Sequence, residues 1–153
     1  MEFADVPSAS KQIRSLGWKF QKTFVTPPPK QLDAYVDVIV SVGSPQMACI
    51  TIDQVVFEPK EWISVLTRNS LEPRYRSGVA VTCSGENEVR ELLVATFGAW
   101  FDFAYVQSPK RFVVYADHDG YTTFYANTKS NLNSIVAAMQ GLGVKEVDYE
   151  RQL

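Results

Sequence analysis

Residues 111–128, RFVVYADHDGYTTFYANT, carry the clearest fold signal in the sequence. Two runs rich in β-branched and aromatic residues flank Asp119-Gly120, a dipeptide that favours a tight turn because both central positions need positive φ. The pattern predicts a β-hairpin with a two-residue loop. In that register His118 faces Tyr121 across the turn, and the side chains of each strand alternate between the two sheet faces.

The hairpin also carries the candidate functional residues. The predicted register sends Asp117 and His118 to opposite faces, which argues against one shared ligand site. An exposed turn with carboxylates, an imidazole and phenols is instead typical of a docking surface, where Tyr supplies contact area with little rotamer entropy to lose. The predicted partner-binding residues are Asp117, His118, Asp119, Tyr121 and Tyr125.

The same stretch lacks the pattern of a metal or catalytic site. A calcium loop with Gly120 at position 6 would need an oxygen ligand at Tyr115 and a Glu at Ala126. One His and two separated Cys give no zinc spacing, and no nucleophile elbow or glycine-rich nucleotide motif occurs. We therefore expect no catalytic residue, metal or cofactor. The alternative is a small-molecule-binding module or a small hydrolase-like enzyme with a pocket near His118.

Composition limits the partner classes. The chain has 153 residues, 46% of them hydrophobic, and a net charge of −2. No basic run exceeds a pair, which argues against nucleic acid, and no apolar run approaches the ~18 residues of a membrane span. The start of the sequence lacks the features of a secretory signal, and Cys49 and Cys83 lie in apolar runs typical of buried thiols. These features predict a cytoplasmic protein.

The remaining patterns extend the prediction over the whole chain. Helices are predicted at 8–16, 58–69, 84–100 and 130–143, and strands at 18–26, 34–42, 47–57, 79–83, 101–107, 111–118, 121–128 and 144–150. In order, this is α-β-β-β-α-β twice. The repetition raises the hypothesis of a tandem pseudo-repeat with halves 8–83 and 86–149.

The expected fold is α+β: mainly antiparallel sheet with helices packed on it, in one compact domain over residues 1–153. Because the chain carries no catalytic or nucleotide motif, the expected function is a non-enzymatic protein-binding module. An inhibitor or immunity-type protein that neutralises a toxin or enzyme would fit, with a partner whose surface is basic enough to attract the hairpin carboxylates.

Overall fold

The helices and strands alternate along most of the chain in the computed structural model, which describes residues 1–153. The strands are β1 (Glu2–Ala4), β2 (Phe20–Val25), β3 (Met47–Gln54), β4 (Ala80–Ser84), β5 (Asp102–Ser108), β6 (Val113–Ala116), β7 (Tyr121–Ala126) and β8 (Glu146–Val147). The helices are α1 (Ala9–Ser15), α2 (Leu32–Gly43), α3 (Lys60–Arg68), α4 (Gly85–Gly98) and α5 (Lys129–Leu142), with a 3₁₀ turn at Pro29–Gln31 before α2.

All eight strands form one antiparallel sheet with the order β1-β4-β3-β5-β6-β7-β2-β8. The predicted α+β class is therefore confirmed. The β5-β6-β7 meander forms the middle of the sheet. Strands from the first part of the chain flank it on both sides, with β3 beside β5 and β2 beside β7.

Helices α2 to α5 cover one face of this sheet. The strands turn their large apolar side chains towards these helices, in the alternation that a half-buried strand requires. The predicted inner stripe of α5 is confirmed for Leu132, Ile135 and Met139, which are buried, while Val136 is half-buried. Thr128 caps this helix by accepting a hydrogen bond from the Asn131 amide.

The assignment of residues 34–42 to a strand was wrong, because they lie in α2. Their β-branched residues suggested a strand, but the buried positions of α2 recur at helical spacing: Leu32, Tyr35, Val36, Ile39, Val40 and Gly43. The free energy gained by packing this stripe on α4 and α5 outweighs the strand preference of its β-branched residues.

The pseudo-repeat is not confirmed. With α2 helical, the first half has the order α-β-α-β-α-β, whereas the second keeps the predicted α-β-β-β-α-β. The strand arrangements also differ, since β5, β6 and β7 are neighbours while three strands separate β2 from β3. The similar sequence motifs in the two halves therefore do not correspond to matching folds.

We call the opposite side of the sheet the outer face: the side chains of Val113, Tyr115, Asp117, Tyr121, Thr123 and Tyr125 lie on it. It has a small apolar cluster of its own, in which Ala9 and Ile13 of α1 pack beside Ala104 and Val113. Residues 148–153 pass over the part of this face that α1 leaves free. The outer face is thus more polar and more thinly covered than the helix-covered face.

Candidate functional site at the hairpin tip

The predicted hairpin is present, but its loop is one residue longer than expected. Ala116 pairs with Thr122, and the Asp117 amide donates to the Tyr121 carbonyl over 3.0 Å, so the loop is residues 118–120. Gly120 has a φ of +90°. The Asp117 carboxylate accepts from the amides of Asp119 and Tyr121, which stabilises the wider turn.

The longer loop shifts the register by one residue and therefore corrects the predicted faces. Tyr121 pairs with Asp117 rather than with His118, and Tyr115 pairs with Thr123. Because the side-chain period of a strand is two, a one-residue shift moves a whole strand's side chains to the other face. Asp117 therefore shares the outer face with the β7 tyrosines, and His118 sits in the turn itself.

The five predicted partner-binding residues do not share one environment. Asp119 and Tyr121 are exposed, with 72% of the Asp119 side chain and 38% of Tyr121 accessible. His118 is half-buried, and Asp117 has 13% of its side chain accessible. Tyr125 is 5% exposed and lies among the buried residues of the outer face. The surface of the tip is thus formed by His118, Asp119 and Tyr121.

Asp102, which the sequence analysis missed, holds His118 in place. Its Oδ1 accepts from the His118 backbone amide over 2.8 Å and lies 2.7 Å from Nδ1 of the ring. The hydrogen bond to Asp102 raises the pKa of the His118 imidazole, and the Asp102 and Asp119 charges act in the same direction. The only sequence signal was an acidic residue directly before the apolar residues 103–106 of this strand.

An exposed aromatic patch adjoins the tip. It consists of Phe57 and Trp100. Together with His118, Asp119 and Gly120 of the turn, these two residues line a shallow depression of about 490 Å³. Phe57 is 57% exposed, whereas Phe is one of the residue types that are most often buried. Trp100 adopts a φ of +55°, which is rare for a bulky residue and costs roughly 1–3 kcal/mol. The fold therefore maintains a strained conformation that places this indole beside the turn.

On the outer face Arg151 binds the base of the hairpin. Its guanidinium forms an ion pair with Asp117 over 2.9 Å, and its Nε donates to the Thr123 hydroxyl over 3.0 Å. The guanidinium carbon also lies 4.8 Å from the centre of the Tyr115 ring. We call Arg151, Asp117, Thr123 and Tyr115 the Arg151 cluster. Because the Arg151 guanidinium neutralises Asp117, the exposed negative charge of the tip comes from Asp119.

Within the Arg151 cluster, Tyr115 makes the contact with β3. Its hydroxyl donates a short hydrogen bond to the carboxylate of Asp53, which sits where the β3–β5 register is irregular. Burial raises the pKa of the Tyr115 hydroxyl, and the hydrogen bond and charge of Asp53 raise it further. The phenol therefore stays neutral and acts as a donor.

Other concave surfaces lie away from the hairpin tip. A groove of about 780 Å³ runs along the β2–β8 edge, lined by residues that include Lys22 and Glu146. Two further depressions lie beside Arg74 and Arg76. No three His, Cys, Asp or Glu side chains come close enough together to hold a metal ion.

Two further findings concern the whole chain. None of the five helices combines the length and the apolar character needed to cross a membrane. Cys49 and Cys83 are free thiols on neighbouring strands: Cys83 is buried and Cys49 half-buried.

In comparisons with known proteins, no family model, no curated protein and no solved structure matches this chain.

Proposed function

We propose that the protein is a non-enzymatic binding module that docks its hairpin tip and aromatic patch onto another protein. The observation that carries the proposal is the exposure of Phe57 beside Trp100 and the hairpin turn. Aromatic side chains held at a surface are typical of the residues that dominate binding energy in protein interfaces. An inhibitor or immunity-type protein that covers a toxin or enzyme would work in this way.

Rigidity supports the same role. The turn is fixed by the two hydrogen bonds that the Asp117 carboxylate accepts and by the ion pair with Arg151. His118 is fixed in turn by Asp102. A contact surface that is already ordered loses little conformational entropy when it binds, so more of its contact energy appears as affinity.

The charge of the tip favours a partner with a basic surface. Asp119 projects from the turn with 72% of its side chain accessible, and its carboxylate lies 3.6 Å from the His118 ring. An exposed carboxylate at the rim of an interface mainly accelerates association and makes it dependent on salt. Asp117 has no comparable role, because the buried Arg151 already pairs with it.

Affinity capture with matched variants tests the proposal. Three baits would be used in host lysate: the wild-type protein, the Phe57→Asp variant, and an Asp33→Lys control at an exposed position of α2. We expect a specific partner to be retained by wild type and Asp33→Lys and lost with Phe57→Asp. For that purified partner, Asp119→Lys should lower the association rate and its salt dependence. If all three baits capture the partner equally and Asp119→Lys leaves the association rate unchanged, the interface does not lie at the hairpin tip or the aromatic patch.

One observation favours a second candidate function, a small enzyme with its site at the depression beside His118. Asp102 orients the imidazole through Nδ1 and leaves Nε2 facing the turn, as a carboxylate does for a general base. A substrate in the depression would give up a proton to Nε2. If the purified protein turns over a small substrate and His118→Gln abolishes turnover without unfolding it, this candidate replaces the docking proposal.

A further inference from the structure

Residues 148–153 form a strap across the outer face, and a side-chain amide holds it in place. The Arg151 backbone amide donates to the Gln21 side-chain oxygen over 2.8 Å, while the Gln21 amide donates back to the Arg151 carbonyl over 3.4 Å. This reciprocal pair resembles the exchange between two strands, but a side chain replaces one backbone. The strap therefore docks on the outer face through a side chain of β2, without joining the sheet.

The Arg151 side chain inserts beneath the strap into a well-defined site. It is 8% exposed and contacts the Asp117 carboxylate, the Thr123 hydroxyl and the Tyr121 carbonyl. Its guanidinium carbon lies 4.8 Å from the centre of the Tyr115 ring and 5.6 Å from that of the Tyr149 ring. A carboxylate, neutral acceptors and aromatic faces together match the planar, cationic guanidinium group better than an ammonium.

The site offers more polar groups than Arg151 uses. The hydroxyl of Tyr125 is buried on the same face and has no hydrogen-bond partner in the protein. Tyr125 lies opposite Gln21, the residue that binds the strap, and burial raises the pKa of its hydroxyl to about 12. A buried polar group without a partner is uncommon, so this hydroxyl is an unused hydrogen-bonding group on the face that the strap covers.

We infer that the outer face holds a cleft for an arginine side chain of a partner protein, and that the protein's own Arg151 occupies this cleft in its absence. Charge complementarity with Asp117 and the fit to Arg151 itself identify the occupant. The inference goes beyond docking at the tip and does not depend on it. The strap acts as an internal competitor, present at an effective concentration on the order of millimolar.

The test uses the full chain with Arg151→Ala and two capped peptides. One has the sequence of residues 148–153, DYERQL, and the other has lysine in place of arginine. We expect Arg151→Ala to bind the arginine peptide at least about tenfold more tightly than wild type does, because the competing side chain is gone. It should also bind the arginine peptide better than the lysine peptide.

Second-site variants assign the binding to the cleft. In the Arg151→Ala background, Asp117→Asn should reduce binding of the arginine peptide at least about tenfold, by removing the charge of the pair. Asp33→Asn, which removes an exposed carboxylate on α2, should leave it unchanged. Equal binding of both peptides, or binding that survives Asp117→Asn, would overturn the inference.

A measurement on the wild-type protein covers the case in which Arg151→Ala fails to fold. At millimolar concentration the arginine peptide should displace the strap. The NMR signals of the Arg151 backbone amide and the Gln21 side-chain amide should then move, because displacement breaks the two hydrogen bonds between these residues. The lysine peptide should have a smaller effect. If neither peptide moves these signals, no exchangeable arginine cleft exists and Arg151 serves only to hold the strap.

Discussion

The hairpin tip requires glycine at position 120 because of its backbone conformation, not because a side chain there would clash with its neighbours. The Gly120 φ of +90° is one that other residues adopt at a cost, although an added Cβ would come only within 3.9 Å of the Trp100 ring. We expect Gly120→Ala to lower the free energy of unfolding by about 1–2 kcal/mol, the cost of a left-handed backbone for an L-residue. Chemical denaturation measures the change.

The control is Gly98→Ala, in the last turn of α4, where φ is not positive and a Cβ meets nothing within 4 Å. That change should be neutral or should stabilise the protein by up to ~1 kcal/mol, because Ala favours a helix over Gly. Equal effects at the two positions would show that the turn does not impose the positive φ. Gly120→Val should destabilise more than Gly120→Ala, since a β-branched residue tolerates this region least.

His118 offers a direct test of the tip's electrostatics, because it is the chain's only histidine. Its hydrogen bond to Asp102 raises the imidazole pKa above the usual 6.5. We expect Asp102→Asn to return the pKa towards 6.5, measured by NMR titration of the ring proton. An unchanged pKa would mean that the 2.7 Å contact does not persist in solution.

The same linkage predicts how stability depends on pH. Because the folded-state pKa of His118 is raised, the imidazolium contributes stability below pH 6.5, and this contribution is lost as pH rises through the folded pKa. The free energy of unfolding of wild type should therefore fall relative to that of His118→Gln over this window. A constant difference between the two proteins from pH 5 to 9 would contradict the assignment.

At the scale of elements, Gly43 determines how α2 packs on the sheet. A Cβ at Gly43 would overlap the side-chain oxygen of Gln107 on β5, whose amide donates to the Gly43 carbonyl over 2.8 Å. Gln107 is buried and also accepts from the Tyr105 hydroxyl. We expect Gly43→Ala to cost about 1–3 kcal/mol, through overpacking and displacement of this hydrogen-bonded side chain.

Gly141→Ala is the matched control, since Gly141 lies within α5 and an added Cβ there meets nothing within 4 Å. It should stabilise the protein by about 0.5–1 kcal/mol, as the replacement of an exposed helical Gly usually does. Both free energies come from denaturation curves. A Gly43→Ala protein as stable as Gly141→Ala would show that the α2–β5 contact can relax freely.

The α2 region also shows why part of the fold could be predicted and part could not. Local patterns identified four of the five helices and most strands, because turn residues and apolar periodicity act over a few residues. Residues 34–42 carry both signals at once: their β-branched composition favours a strand, and their burial spacing favours a helix. Tertiary packing decides between the two, and a single sequence does not contain that information explicitly.

The site was predictable to a similar extent. The dipeptide Asp119-Gly120 correctly placed the turn, but the hydrogen bonds of the Asp117 carboxylate selected a three-residue loop and shifted the register. Phe57, Trp100, Asp102 and Arg151 reach the hairpin from distant parts of the chain. Such long-range contacts leave no local pattern, so sequence analysis identified the tip and missed its surroundings.

At the scale of the whole molecule, pairing between distant segments makes the two sequence halves interdependent. β2 pairs with β7 and β8, and β3 pairs with β5, so strands before residue 84 complete the sheet formed by strands after it. We therefore expect one cooperative unfolding transition, with the same midpoint by far-UV circular dichroism and by tryptophan fluorescence. Separate midpoints would indicate two units.

Fragments 1–84 and 85–153 test this interdependence directly. Separating them removes both neighbours of the β5-β6-β7 meander and leaves β2 without a partner strand, so the apolar residues on their edges lose their cover. We expect each fragment alone to lack stable tertiary structure and an equimolar mixture to recover the native spectrum. Phe24→Asp in the first fragment should prevent recovery, because Phe24 is fully buried and contacts Phe124 edge to face. If fragment 85–153 instead folds alone and unfolds cooperatively, its α-β-β-β-α-β order forms an independent domain that does not need the strands of residues 1–84.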